Sequence, residues 1–355
     1  MKPERQTHLF TVIAVLSVLV LGVIWMSLHR GSGGLALVEQ DRNAVLSQEQ
    51  LLPGTRPNSD APTAPPFVAD MDQGAPSGIS PGVSASATDT KYVSPALLPL
   101  VHVSRATLSD AMQAAQEVRR IPLGEADVGA IYEMLATPAS AFDMDILQIN
   151  ALKNNLLGSL LSRRPLPPGL GDQMRAMFEA PDMDPVWRNY IVQHLDRYHL
   201  ARWPGGAKSG DTEHRAFLDF FVGVLEEVQT DAAGTALLAM ERLNKEAPVF
   251  DLDWLAQESL AIAANPRAKE TSRIAALQVA SRHAGSDLRP VASELALSGS
   301  SVPLRLSAIA ALGAVGDAED LPLLDQLSVD AAKEPRLLPA IDGARTRLAL
   351  RSGVR

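Results

Sequence analysis

The chain has 355 residues, 46% of them hydrophobic, with 41 acidic against 32 basic side chains and a net charge of −9. That length can bury a sizeable core, but an acidic balance excludes nucleic-acid binding through a broad basic surface, since phosphate contacts need clustered Lys and Arg. With no cysteine in the chain, disulfides, thiolate catalysis and cysteine-based zinc sites are excluded too.

The first 30 residues carry a net charge of +2, residues 31–90 carry −5 and the remainder carries −6. Leu9 to Leu28 reads LFTVIAVLSVLVLGVIWMSL, 20 residues without a charge, long enough to cross a hydrocarbon core of ~30 Å. A cleaved signal peptide would have a shorter apolar region, of about 7–15 residues, and an A-x-A-like site after it. The following LHRGSGGLAL offers only weak small-residue positions. The expectation is an uncleaved single-pass anchor in the inner or plasma membrane. Lys2 and Arg5 before the span are matched by Arg30 and Arg42 after it, so charge alone sets no orientation. A short tail ahead of a long C-terminal part favours the tail in the cytoplasm and the bulk on the periplasmic or extracytoplasmic side, with the reverse left open.

Residues 29–90 read as a juxtamembrane segment and a tether. Ala36 to Leu52 has a weak amphipathic pattern, and Pro53 to Thr90 contains seven prolines among Gly, Ser, Ala and Thr. Such a composition has too little large apolar surface to offset the entropy of ordering it.

From about residue 91 to 355 the pattern is helix after helix, broken by short Pro, Gly and Asp stretches, with almost no alternating strand signal. SRIAALQVASRHAG (Ser272 to Gly285) aligns with LRLSAIAALGAVGD (Leu304 to Asp317) at a shift of 32 residues, placing Arg273 on Arg305, Ala276 on Ala308 and Val279 on Ala311. The same shift places Pro303 on Pro335, Ala308 on Ala340 and Ile309 on Ile341. A period in the thirties built from helix pairs predicts an all-α chain of the α-solenoid class. VPLRLSAIAALGAVGDAEDLPLLDQL, with Arg305 at a second helix's start, the Ala308, Ala311, Leu312 stripe and Gly313, Gly316 and Asp317 in the turn, resembles the HEAT-like repeats of bacterial proteins. The likeness is strongest over Leu255 to Leu350, and the closest repeat type is that of phycobilin lyases. It implies a protein-binding scaffold, although some such arrays are enzymes. The resemblance also implies that Arg188, Arg273 and Arg305 join a ladder with Asp residues of neighbouring turns.

Three short acidic elements recur: FDMDI (Phe142 to Ile146), PDMDPVW (Pro181 to Trp187) and FDLDW (Phe250 to Trp254). Asp-x-Asp can hold a divalent cation or a nucleotide-sugar, but these elements fall at helix starts. Second helices are expected to begin near Met144, Asp184, Asp231, Arg267, Val302 and Pro335, and Asp253 to open a first helix. An N-cap Asp accepts a backbone N–H and favours the positive end of the helix dipole, so the elements read as caps rather than as metal ligands.

Pro185 to Leu200 is predicted as one helix whose Trp187, Tyr190, Ile191, His194, Leu195 and Tyr198 share a buried face. His194 falls where later repeats carry Val279 and Ala311, the place of a hydrogen-bonded core histidine. His194 and His199 are five residues apart, about 140° around a helix, and cannot share one metal. The opposite face presents Arg188, Asn189, Gln193 and Arg197, and the following WPGGAKSGD adds Trp203 and Lys208. That loop lacks the spacing of a phosphate-binding loop. An exposed Trp203 among cations fits a hot spot for a protein or peptide partner, acidic or mixed in charge.

No catalytic residue, cofactor or metal is assigned from the sequence. HEAT-like iron hydroxylases use His-Glu dipeptides, and here Glu213-His214 stands in reverse order. HEAT-like DNA glycosylases need a basic groove. The reading is a non-catalytic membrane-tethered interaction scaffold, contacting lipid through Leu9–Leu28 and no nucleic acid. A lyase-like enzyme or small-ligand binder, or the same scaffold facing the cytoplasm, remains as an alternative.

Overall fold

In the computed structural model, residues 93–353 are described. The anchor expected at Leu9–Leu28 and the expected Pro-rich tether lie outside the described residues. Among those described, no helix is long and apolar enough to cross a membrane, and every regular element is helical.

The helices run α1 (Leu98–Val101), α2 (Leu108–Glu117), α3 (Glu125–Ala136), α4 (Ile146–Leu161), α5 (Leu170–Glu179), α6 (Pro185–Gln193) and α7 (Leu195–Arg202). They continue with α8 (Thr212–Gly223), α9 (Ala232–Glu246), α10 (Leu252–Ala264), α11 (Glu270–His283), α12 (Arg289–Ser298), α13 (Val302–Val315), α14 (Leu321–Asp330) and α15 (Leu338–Ser352). Second helices were expected near Met144, Asp184, Asp231, Arg267, Val302 and Pro335, and α4, α6, α9, α11, α13 and α15 begin within a few residues of those positions.

These second helices form one row: α4 packs on α2 and α6, α9 on α6 and α7, then α11 on α9, α13 on α11 and α15 on α13. First helices line a parallel row, α5 against α3, α12 against α10 and α14 against α12, and each packs on its own second helix. An all-helical stack in which each pair touches its neighbours is consistent with an α-solenoid. The repeat alignment is visible in the core, where Ala276, Ala308, Val279, Ala311, Ile309 and Ile341 are all buried.

Small residues set the spacing of the second row. A Cβ added to Gly234 of α9 would lie 2.6 Å from the Ser272 Cα of α11, and one on Gly313 of α13 would lie 2.9 Å from the Ala344 Cα of α15. The backbones meet there, and Ser272 strengthens the first junction by accepting the Gly234 N–H at 3.1 Å and donating to the Thr230 carbonyl at 2.7 Å.

The Asp-x-Asp elements are caps, with one change of residue. Asp145 accepts the Leu147 N–H at 2.8 Å. Asp184 accepts those of Val186 and Trp187 at 2.9 and 3.2 Å. In FDLDW the cap is Asp251, which accepts the Trp254 N–H at 2.8 Å, and Asp253 stands exposed in the first turn. Asp251 has extended backbone while Leu252 is already helical, so the geometry of an N-cap exists only at the first Asp of that element.

Candidate partner-binding surface

The middle of the stack carries the residues singled out from the sequence. Pro185 to Leu200 is not one helix: it breaks at His194, where φ is −99° and ψ is −2°. The His194 N–H turns back to the Ile191 carbonyl at 3.0 Å. Trp187, Ile191, Leu195 and Tyr198 stay buried on both sides of the break, so the apolar face survives the interruption.

Buried contacts hold the break. The His194 ring donates from Nε2 to Asn154 Oδ1 of α4 at 2.9 Å, leaving Nδ1 to accept from Arg197 Nη1 at 3.5 Å. Burial pushes the His194 pKa down to about 3, with Arg197 and Arg242 adding to the effect, and the ring is neutral at pH 7. Just past the break, buried Asp196 accepts Arg242 Nε of α9 at 2.8 Å, and Arg242 Nη2 reaches the Gln193 carbonyl at 3.4 Å. Neighbouring helices thus supply partners that the broken helix lost.

Arg188, Arg273 and Arg305 share a structural role, but not the expected ladder with Asp residues. Each donates Nε to a carbonyl in the last turns of the preceding first helix: Arg188 to Phe178 at 2.6 Å, Arg273 to Ala263 at 3.0 Å and Arg305 to Ala296 at 3.0 Å. Helix C-termini leave carbonyls without intrahelical partners, and a guanidinium satisfies one of them. Arg188 also stacks over Phe178 at 4.4 Å and pairs with Glu227. Its side chain is committed to packing.

Trp203 departs furthest from expectation. The sequence places it on an exposed loop, yet its side chain is buried, with 6% exposure. Its ring packs on Tyr198, His199, His214 and Phe217 at centroid distances of 5.9, 5.2, 4.8 and 5.5 Å. Its indole N–H donates to Asp211 Oδ2 at 3.0 Å. Gly205, Gly206 and Gly210, all with positive φ, let the chain turn from α7 into α8, since such backbone is costly for other residues. Lys208 remains exposed on that loop.

Beneath Trp203, His199 and His214 share a hydrogen bond, Nε2 to Nε2, at 2.8 Å. One ring must donate and the other accept, so both cannot be protonated. His199 Nδ1 is buried with no hydrogen-bond partner. A proton on His199 Nε2 leaves only a lone pair unpaired there, the less costly arrangement. Burial, then His214, lowers the His199 pKa to about 4. Sequence spacing pointed to no such pair, because His199 and His214 lie on different helices and meet only once the loop closes. Among the described residues, no group of three His, Asp or Glu side chains is placed to hold a metal.

A buried lysine packs against α6. Lys153 of α4 is fully buried, donates to the Thr137 carbonyl and lies 5.4 Å from the Trp187 ring centroid. Burial lowers its pKa to about 8. On the other flank, Pro165 to Asp172, Tyr198, Arg202, Pro204 and Glu213 line an open cleft of about 440 Å³. Arg202 spans its rim through two bonds to Glu213, at 2.9 and 2.6 Å.

Of the six partner residues expected from the sequence, Arg197 and Lys208 are exposed and Asn189 and Gln193 half-exposed, while Arg188 is bound into the stack and Trp203 into the core. Asn189 Oδ1 is buried with no partner. Asn189 and Gln193 on α6 and Arg197 on α7 thus keep some exposure, and the aromatic anchor does not. Compared with known proteins, the chain matches no family model, no curated protein and no solved structure.

Proposed function

We propose that this chain is a non-catalytic interaction scaffold: an α-solenoid of HEAT-like helix pairs, anchored in the membrane by Leu9–Leu28 and standing outside the cytoplasm on a Pro-rich tether. Its partner is a protein or peptide received along the row of second helices. The observation that supports this reading is the polar side of that row, where Asn154, Gln193, Arg242 and Gln278 are half-exposed and Arg197 and Arg282 exposed. The continuous row offers an extended surface of the kind repeat arrays use for binding.

Photo-crosslinking residues placed at Gln193 and Gln278, on second helices, and at Asp219 and Leu297, on first helices, test the reading. Discrete adducts in intact membranes from the first two positions alone support it. Adducts from all four equally, or from none, overturn it. A reporter fused after Arg355 that is active only outside the cytoplasm supports the proposed orientation, and a cytoplasm-only reporter active there refutes it.

A further inference from the structure

Successive second helices are joined by a ladder of buried acids and arginines. Asp196 of α7 takes Arg242 of α9 at 2.8 Å, and Glu241 of α9 takes Arg282 of α11. Both carboxylates are buried, Asp196 at 6% exposure and Glu241 at 3%. In each step the acid directly precedes an arginine along the chain, as Asp196-Arg197 and Glu241-Arg242. A second helix therefore gives its acid to the next helix and its arginine to the previous one.

Arg197 is the arginine that this rule directs toward α4. A Cβ built on Gly158 of α4 would lie 3.9 Å from Arg197 Nη1, and the residue before it is buried Leu157. No carboxylate stands there. Arg197 makes no ion pair among the described residues; its side chain meets only the neutral His194 ring, at 3.5 Å. The acid next to it in the chain, Asp196, is taken by Arg242 through Oδ2 and by the Arg197 backbone N–H through Oδ1 at 2.8 Å. The one guanidinium on Asp196 is that of Arg242, and the exposed Arg197 guanidinium carries a positive charge that no carboxylate among the described residues pairs.

We propose that Arg197 is a carboxylate-binding site, whose vacant rung is completed by an Asp or Glu side chain of an acidic peptide segment in the partner. The proposal rests on the second-helix row being the face that receives partners. An arginine fork matches a carboxylate with two parallel, charge-assisted hydrogen bonds. The chain's net charge of −9 repels an acidic peptide overall, so capture reports a local site rather than a general attraction.

The test uses the full-length protein in detergent micelles and a fluorescein-labelled octaglutamate peptide, with octaglutamine and inorganic phosphate as controls, read by fluorescence anisotropy. Octaglutamate is expected to bind and octaglutamine not to. Arg197→Ala should weaken binding about tenfold or more, the scale of a lost charge-assisted contact, and Arg197→Lys should recover part of it. Gly158→Asp should block the peptide by putting a carboxylate of this chain into the vacant rung, with the melting temperature held or raised. If Gly158→Asp lowers the melting temperature, Arg197→Gln, at an exposed position, carries the same comparison.

Wild-type affinity in Arg197→Ala, equal binding of octaglutamine, or displacement of octaglutamate by equimolar phosphate would overturn the site. Adducts at Gln278 that persist while Arg197→Ala leaves octaglutamate binding unchanged would remove the site and keep the face. Absence of adducts at Gln278 in the wild type would remove the face itself.

Discussion

Asp211 and Trp203 are joined by a single hydrogen bond of 3.0 Å, and the other oxygen of that carboxylate caps α8 through the His214 N–H, also at 3.0 Å. One side chain thus closes the glycine-rich loop and starts the next helix. The backbone N–H of His214, then the Trp203 indole, keeps the Asp211 carboxyl below its ordinary pKa.

Trp203→Ala should therefore destabilise the stack by about 3–5 kcal/mol, as expected for removing a buried aromatic side chain. Asp211→Ala should destabilise it less, through the lost cap and the stranded indole N–H. Urea denaturation of both variants checks this. A Trp203→Ala protein as stable as the wild type would mean that the ring does not pack as described.

Stability should fall on mild acidification. His194 and His199 are held neutral in the fold, with pKa values lowered to about 3 and about 4, against about 6.5 in the unfolded chain. The unfolded chain binds more protons below pH 6.5, so stability is retained above that pH and lost as pH falls toward the folded values. The loss reaches about 1.4 kcal/mol per pH unit for His194 in that window and is smaller for His199, whose ring is coupled to His214. Denaturation midpoints measured across that range test the sign, and an unchanged or rising midpoint at pH 5 contradicts it.

The Asp-x-Asp elements should separate residue by residue. Asp251→Ala should cost about 1 kcal/mol, whereas exposed Asp253→Ala should stay within about 0.5 kcal/mol of wild type. Asp184 also accepts Asn150 Nδ2 at 2.6 Å, so Asp184→Ala strands a buried amide and should cost about 2–3 kcal/mol. Added Ca²⁺, Mg²⁺ or Mn²⁺ should leave the melting temperature unchanged, since a ligand of the native state raises it. A metal-dependent rise abolished by Asp184→Ala would show a cation site instead.

Where backbones meet, a single methyl group should be felt. Gly234→Ala and Gly313→Ala place a Cβ against the Cα atoms of Ser272 and Ala344, and overpacking of this kind costs about 1–3 kcal/mol. Gly129 of α3, which has nothing within 4 Å of an added Cβ, is the control: Gly129→Ala should be neutral or stabilising through helix propensity. Thermal melts of the three variants distinguish the cases.

Helix positions were legible in the sequence because second helices begin at strong local signals such as Asp184-Pro185 and Ser301-Val302-Pro303. Burial of His194 followed from its place in the apolar stripe. The break after Gln193 was not legible, because its support comes from Asn154 and Arg242, on α4 and α9. Trp203 was misplaced for a related reason: Pro, Gly and Ser around it signal a loop, but the rings that cover it lie on α7 and α8. The acid–arginine ladder left one trace, the dipeptides Asp196-Arg197 and Glu241-Arg242 at matching heights of successive second helices.

That ladder gives the stack a head and a tail, as a polymer has when its monomers join by unlike ends. A copy of the α8–α9 pair inserted after α9 would bring an arginine for Glu241 and an acid for Arg282, so the array can be lengthened there without a new interface chemistry. At the α4 seam the copy's acid would serve Arg197, while its arginine would face Gly158 and find no carboxylate. Growth of this molecule, by duplication or by design, extends the ladder at one seam and only moves its vacant rung at the other.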